Sequence, residues 1–118
     1  MTIPARLLAL YRKTTYRIGE KAERIGRRGS VEGVLLTAWN PMSRRMPKGW
    51  NQRMQARLRE RLRRWPVTDA SGGLGGWHED HVLVTADPRP CRTLARLFRQ
   101  RAILILRPRQ AVRLCILR

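Results

Sequence analysis

Val34-Leu35-Leu36-Thr37-Ala38-Trp39-Asn40-Pro41 is almost unbroken in apolar side chains until it ends on an indole, an amide and an imino acid. A continuous apolar run of this kind fits a central strand covered on both faces, whereas a half-exposed strand would alternate. Proline at 41 disfavours helical geometry at the residue before it, so Asn40 is expected to be extended, with its amide held at the strand tip. The block predicts a sheet centre that runs directly into a polar site.

On its C-terminal side, Ser43, Arg44 and Arg45 lead into a helix over about 47–65, with Pro47 near the start, where a missing N–H costs little. Trp50, Met54, Leu58, Leu62 and Trp65 recur at helical spacing and predict its core-facing seam. Trp65-Pro66 stops it. Val67-Thr68 suggests a short strand, the glycine-rich run 71–76 a flexible turn, and 77–86 a weakly alternating strand ending at Asp87-Pro88. A last helix is expected over about 90–100 with Leu94, Leu97 and Phe98 inward, followed by a hairpin of 102–106 and 111–116 split by Pro108-Arg109. On the N-terminal side, 3–12 fits a short helix, Thr14 to Ile18 a first strand, and the charged stretch 20–33 a loop. The order α-β-β-α-β-β-α-β-β in 118 residues predicts a single α+β domain, an antiparallel or mixed sheet with about three helices packed on it.

Charge is the second strong signal. Twenty-six Lys and Arg against eight Asp and Glu give a net charge of +18 and a pI near 11.9. Such self-repulsion favours a polyanionic partner, nucleic acid or ribonucleoprotein first, with an anionic membrane surface or an acidic protein as alternatives. Only Lys13, Lys21 and Lys48 are lysines, and guanidinium groups match phosphate oxygens in pairs. A GC-rich genome accounts for arginine over lysine but not for so few carboxylates. The helix over 47–65 concentrates the charge: Arg53, Arg57, Arg61 and Arg64 lie along it, with Arg44 and Arg45 at its entrance. Like charges four apart repel, so something outside the helix must compensate, either phosphates or the chain's own Glu20, Glu23 and Glu32.

Other classes receive little support. Cys91 and Cys115 belong to no metal-ligand or redox spacing and read as two buried, reduced thiols. The longest apolar runs are about five residues against the roughly 20 that a membrane span needs. Ile3 to Leu10 is interrupted by Pro4 and Arg6 and lacks a signal-cleavage pattern, so the expected location is cytoplasmic. His78 and His81 fall on opposite faces of a strand, which argues against a shared metal ion. No spacing calls for a cofactor, and none indicates an oligomeric state.

Four short blocks carry a family resemblance: Thr37-Ala38-Trp39-Asn40-Pro41-Met42-Ser43, then Asn51, then Trp77-His78-Glu79, then Phe98-Arg99-Gln100-Arg101-Ala102. Their order and spacing over about Tyr11 to Leu106 resemble the bacterial domain of unknown function 3293 family, whose pattern is T-x-W/Y-N-P-x-S, an early helical Asn, W-x-E and F-G-Q-N-A. The residues flanking Gln100 depart from that pattern, with Arg99 for Gly and Arg101 for Asn. So do Asp80 and His81, where a small polar residue is expected. The resemblance implies a fold and a shared polar cluster rather than an activity.

The matching polar residues are Asn40, Ser43, Asn51, Glu79 and Gln100, with Trp39 and Trp77 as walls. Amides with one carboxylate form a recognition set more than a catalytic one, since no nucleophile–base pair is present. The same residues would equally suit helix caps and loop satisfaction. Two functions follow as expectations: a binding protein contacting nucleic acid through its arginines, or a small-ligand binder or enzyme acting on an anionic, nucleotide-like substrate around Asn40, Asn51 and Glu79.

Overall fold

The computed structural model describes residues 3–118. It runs α1 (Ala5–Lys13), β1 (Thr15–Ile18), β2 (Lys21–Glu23), β3 (Gly33–Leu36), an irregular turn over Pro41–Ser43, α2 (Lys48–Arg61), β4 (Val67–Leu74), β5 (Trp77–Val84), α3 (Pro88–Leu97), β6 (Ala102–Leu106) and β7 (Arg113–Ile116). The strands form one sheet in the order β2-β1-β4-β5-β3-β6-β7, and every neighbouring pair is antiparallel. A single α+β domain with three helices is the result. No helix among the described residues is long and apolar enough to cross a membrane.

The apolar run does become an inner strand, between β5 and β6, with all four residues of β3 buried. Side chains alternate across a strand, so each sheet face receives its own set. Val34, Leu36, Val82, Val84 and Ile103 meet Leu58 of α2, Leu62 just past its end, and Cys91 and Ala95 of α3. On the other face, Leu35, Leu83, Leu104 and Leu106 meet Tyr16, Ile18 and Val112. That second face is concave because the sheet curls: the stretch after β2 bridges to the one before β7 through Ile25–Val112, Arg28–Ala111 and Gly29–Pro108.

Several expectations are corrected. The 20–33 stretch contains β2 and those bridges, since its backbone finds partners far away in sequence. The glycine-rich 71–76 run is mostly strand: Ser71, Gly72 and Gly73 pair with β1 on one side and β5 on the other, leaving Gly75-Gly76 as the turn. Gly72 is required by packing, because a Cβ there would lie 3.0 Å from the Tyr16 ring and 3.1 Å from the His81 ring. Helix α2 ends at Arg61, earlier than expected; Leu58 and Leu62 of the expected seam are buried, with Met54 and Trp65 packed against the same core, while Asn51 and Gln55 join the buried line and Trp50 stays outside it. Trp50 is only half-buried and lies on the flank beside Arg57 and Arg61. Cys91 is buried, but Cys115 is half-buried, and both thiols are free.

Candidate functional site

The site starts where β3 ends. Chain direction changes through Asn40, Met42 and Ser43, which have φ of 47°, 54° and 61°. Asn40 is therefore left-handed rather than extended as its proline neighbour suggested. Asparagine is among the few residues that tolerate this region, while Met42 and Ser43 hold it against their own preference. Arg99 is also left-handed, at φ 55°, and its carbonyl accepts from the Met42 N–H at 2.7 Å. The position where the similar family pattern carries glycine is thus one that favours glycine.

Asn40 joins three elements. Its Nδ2 donates to Glu79 Oε2 on β5 at 2.8 Å. Its Oδ1 accepts from the Met46 N–H ahead of α2 and from Asn51 Nδ2, each at 2.9 Å. The Asn40 N–H in turn donates to Asn51 Oδ1 at 3.0 Å. Gln55, one helical turn on, accepts from the Ala38 N–H at 2.8 Å. Gln100 closes the back of the site, with Nε2 donating to the Trp39 carbonyl at 3.0 Å. Asn40 and Asn51 are thus spent on one another and on the chain, and neither caps α2.

Above this network lies a cavity of about 380 Å3 on the concave face. Asn40, Ser43, Glu79 and Gln100 line it together with Trp77. Asn51 stands behind Asn40, and the Trp39 ring is turned away, packed edge-on against His78 at 5.8 Å. Helix α1, which buries none of its own residues, contributes Leu7, Leu10 and Tyr11 to the lining. Among the lining residues there is no arginine or lysine.

The cavity walls shift the groups they enclose. Burial raises the Glu79 carboxyl to about 7, against partial relief from its bond to Asn40 and from His78. Burial lowers the His81 imidazole to about 4, so it is neutral at physiological pH. Its Nδ1 lies 3.1 Å from the Glu79 carbonyl, an acceptor, so Nδ1 carries the proton and Nε2 keeps its lone pair. The Tyr11 phenol is also raised by burial. Chemically this is a largely apolar recess with a carboxyl near its titration point, one oxygen held by Asn40 and the other without a hydrogen-bond partner among the described residues.

Sequence reading missed Thr37, Gln55, His81, Tyr11 and Tyr16. Two signals were available: the 4-3-4 spacing of Asn51, Gln55, Leu58 and Leu62, and the i, i+2 relation that places Glu79 and His81 on one face of β5. Nothing local indicates that Tyr11 and Tyr16 belong to the same site.

A family model described as "Protein of unknown function (DUF3293)" matches residues 36–103. The chain belongs to this family. The DUF3293 match begins at the end of β3 and stops inside β6, a shorter span than the resemblance suggested. It contains Asn40, Ser43, Asn51, Glu79 and Gln100, while α1 and Tyr11 over the cavity lie outside it. No curated protein and no solved structure matches the chain.

The arginines separate into distinct settings. Arg45 lies over the Trp77 ring at 5.6 Å and Arg64 over the Trp65 ring at 5.7 Å. Arg44, Arg57 and Arg61 line a groove beside α2, and Arg53 is exposed on its outer face. None of these six makes an ion pair among the described residues, where α2 pairs only Arg59 with Asp69 and Arg63 with Glu60. Glu23 is buried, accepting from the Ser30 hydroxyl and N–H, so it does not neutralise α2.

Proposed function

We propose that this protein binds a small, largely apolar molecule in the cavity on the concave face, with Glu79 meeting the ligand's one polar group. The supporting observation is the meeting of a largely apolar recess with a carboxyl whose second oxygen has no partner among the described residues. A carboxyl raised by burial in a concave site exchanges a proton readily near neutral pH, as ligand-binding and general acid–base groups do. The absence of cations among the lining residues favours a neutral or cationic guest over a nucleotide-like anion. Titration of the 15N-labelled chain with indole, p-cresol and phenethylamine tests this. Saturable shifts centred on Gly72, Trp77 and His81, with dissociation constants of roughly millimolar or tighter, are expected. Shifts absent, or spread over the helical face, reject the reading.

A second reading attaches to the outer face of α2, where Arg53 and Arg64 stand without carboxylate partners among the described residues: contact with nucleic acid or ribonucleoprotein phosphates. Such contact is set by charge, so log affinity falls with log salt by roughly 0.9 per phosphate neutralised on duplex DNA. Fluorescence anisotropy with duplex DNA and single-stranded RNA at low ionic strength should show salt-sensitive binding weakened by Arg53→Glu and Arg64→Glu. Binding indifferent to salt or to both substitutions discards it.

A further inference from the structure

Beside α2 runs a groove of about 790 Å3 that neither reading uses. Met42, Met46, Trp50, Met54, Leu97 and Phe98 make its floor, so three of the chain's four methionines line a single surface. Met42 and Leu97 are 36% and 57% exposed, an unusual cost for apolar side chains that could have been placed elsewhere. Methionine is flexible and polarisable, which suits surfaces that mould to a partner's side chains. Around the floor stand Arg44, Arg57, Arg61 and Arg99, with Glu60 as the one acid and that acid engaged by Arg63.

We infer that this groove docks an amphipathic helix of a protein partner, its apolar stripe on the methionine floor and glutamates or aspartates along its edges facing the arginine rim. Three features select that occupant. Trp50, Met54, Arg57 and Arg61 follow one flank of α2 over about 17 Å, the length of about three helical turns, so the groove is long enough for a helix lying beside α2. Its rim carries four arginines that make no ion pair among the described residues, against the single Glu60, so the complementary segment is acidic. Its floor is apolar, so phosphate contact alone would leave Met42 and Leu97 in water. An amphipathic segment covers floor and rim together, as helix-in-groove recognition does.

The test uses the full chain and fluorescein-labelled 18-residue peptides. One carries leucines at i, i+3, i+4 and i+7 with glutamates between them, and a second has the same composition scrambled. A single-stranded 20-nucleotide DNA serves as the competitor. The patterned peptide is expected to bind at least tenfold more tightly than the scrambled one and to gain helical circular dichroism on binding. Leu97→Glu should weaken it tenfold or more; Leu97 is exposed, so this variant keeps its fold. Arg53→Glu and Arg64→Glu, which lie off the groove, should change affinity less than twofold. Equal binding of both peptides, indifference to Leu97→Glu, or displacement of the patterned peptide by the DNA overturns the proposal.

Discussion

Asn40 and Glu79, 39 residues apart in sequence, meet through an Nδ2–Oε2 hydrogen bond of 2.8 Å that ties the strained turn after β3 to the cavity face of β5. The bond keeps a partly buried carboxyl in place on the wall of the recess. It makes Asn40 a positioning residue for Glu79 as well as part of the cavity lining. Predictions follow for each end of this pair and for the backbone that holds it.

Glu79→Gln should uncover a pH dependence that Glu79 and His81 otherwise largely cancel. The carboxyl titrates near 7 in the fold and 4.5 ordinarily, so between those values the folded state keeps a proton that the unfolded chain has released. Stability from this group falls as pH rises through that window, by about 3 kcal/mol in all. His81 works oppositely: its value falls from 6.5 to about 4, so its contribution is lost as pH falls through that range. The two slopes oppose each other between pH 4.5 and 6.5. Removing the carboxyl leaves the imidazole's slope alone, and Glu79→Gln should gain up to about 3 kcal/mol over wild type at pH 8 and little at pH 4. Urea unfolding at several pH values measures this; an offset independent of pH would show that Glu79 is not raised.

Asn40→Asp should keep the acceptor for Met46 and Asn51 while placing a second carboxylate against Glu79. Like charges at hydrogen-bond distance cannot both ionise readily, so the pair shares a proton and one group titrates higher still. The loss in stability should be about 1–3 kcal/mol larger at pH 8 than at pH 5. A 13C-detected carboxyl titration with an unchanged Glu79 midpoint would contradict this.

Arg99→Gly should stabilise the protein. A non-glycine residue in the left-handed region costs roughly 1–2 kcal/mol, and glycine relieves most of that while the backbone bond from Met42 survives. A gain of about 1 kcal/mol in denaturant unfolding is expected. A loss would mean that the Arg99 side chain contributes more than its backbone costs.

Gly72→Ala should destabilise by about 1–3 kcal/mol, because the added methyl enters the space of the Tyr16 and His81 rings. The edge-on contact of those rings, centroids 5.5 Å apart, must open to admit it. Thermal unfolding gives the magnitude, and an unaltered His81 titration in the variant would place the disturbance elsewhere.

Local pattern was enough for much of the scaffold. The apolar run of β3, the proline-bounded starts of α2 and α3 and the closing hairpin announce themselves through composition and period. These features are set by neighbours within a few residues, which is why a sequence read without context contains them. Asn40, Ser43, Glu79 and Gln100 were legible as a group only through the family resemblance, which links blocks far apart in sequence.

Register and rotation are different quantities. Which face of β5 carries Glu79 and His81 toward Tyr16, whether a glycine-rich stretch turns or pairs, and how α2 rotates to bury Asn51 and Gln55 while leaving Trp50 on the groove are fixed by contacts between distant segments. Backbone hydrogen bonds supplied from both sides convert Ser71-Gly72-Gly73 into strand against its propensity, and a curled sheet creates a recess that no single segment encodes. Chain chemistry alone determined an α+β body with a cationic helix, and the family resemblance added the polar cluster. Long-range packing decided that the cluster props up Glu79 beneath a largely apolar cavity, and that three methionines share one arginine-rimmed groove.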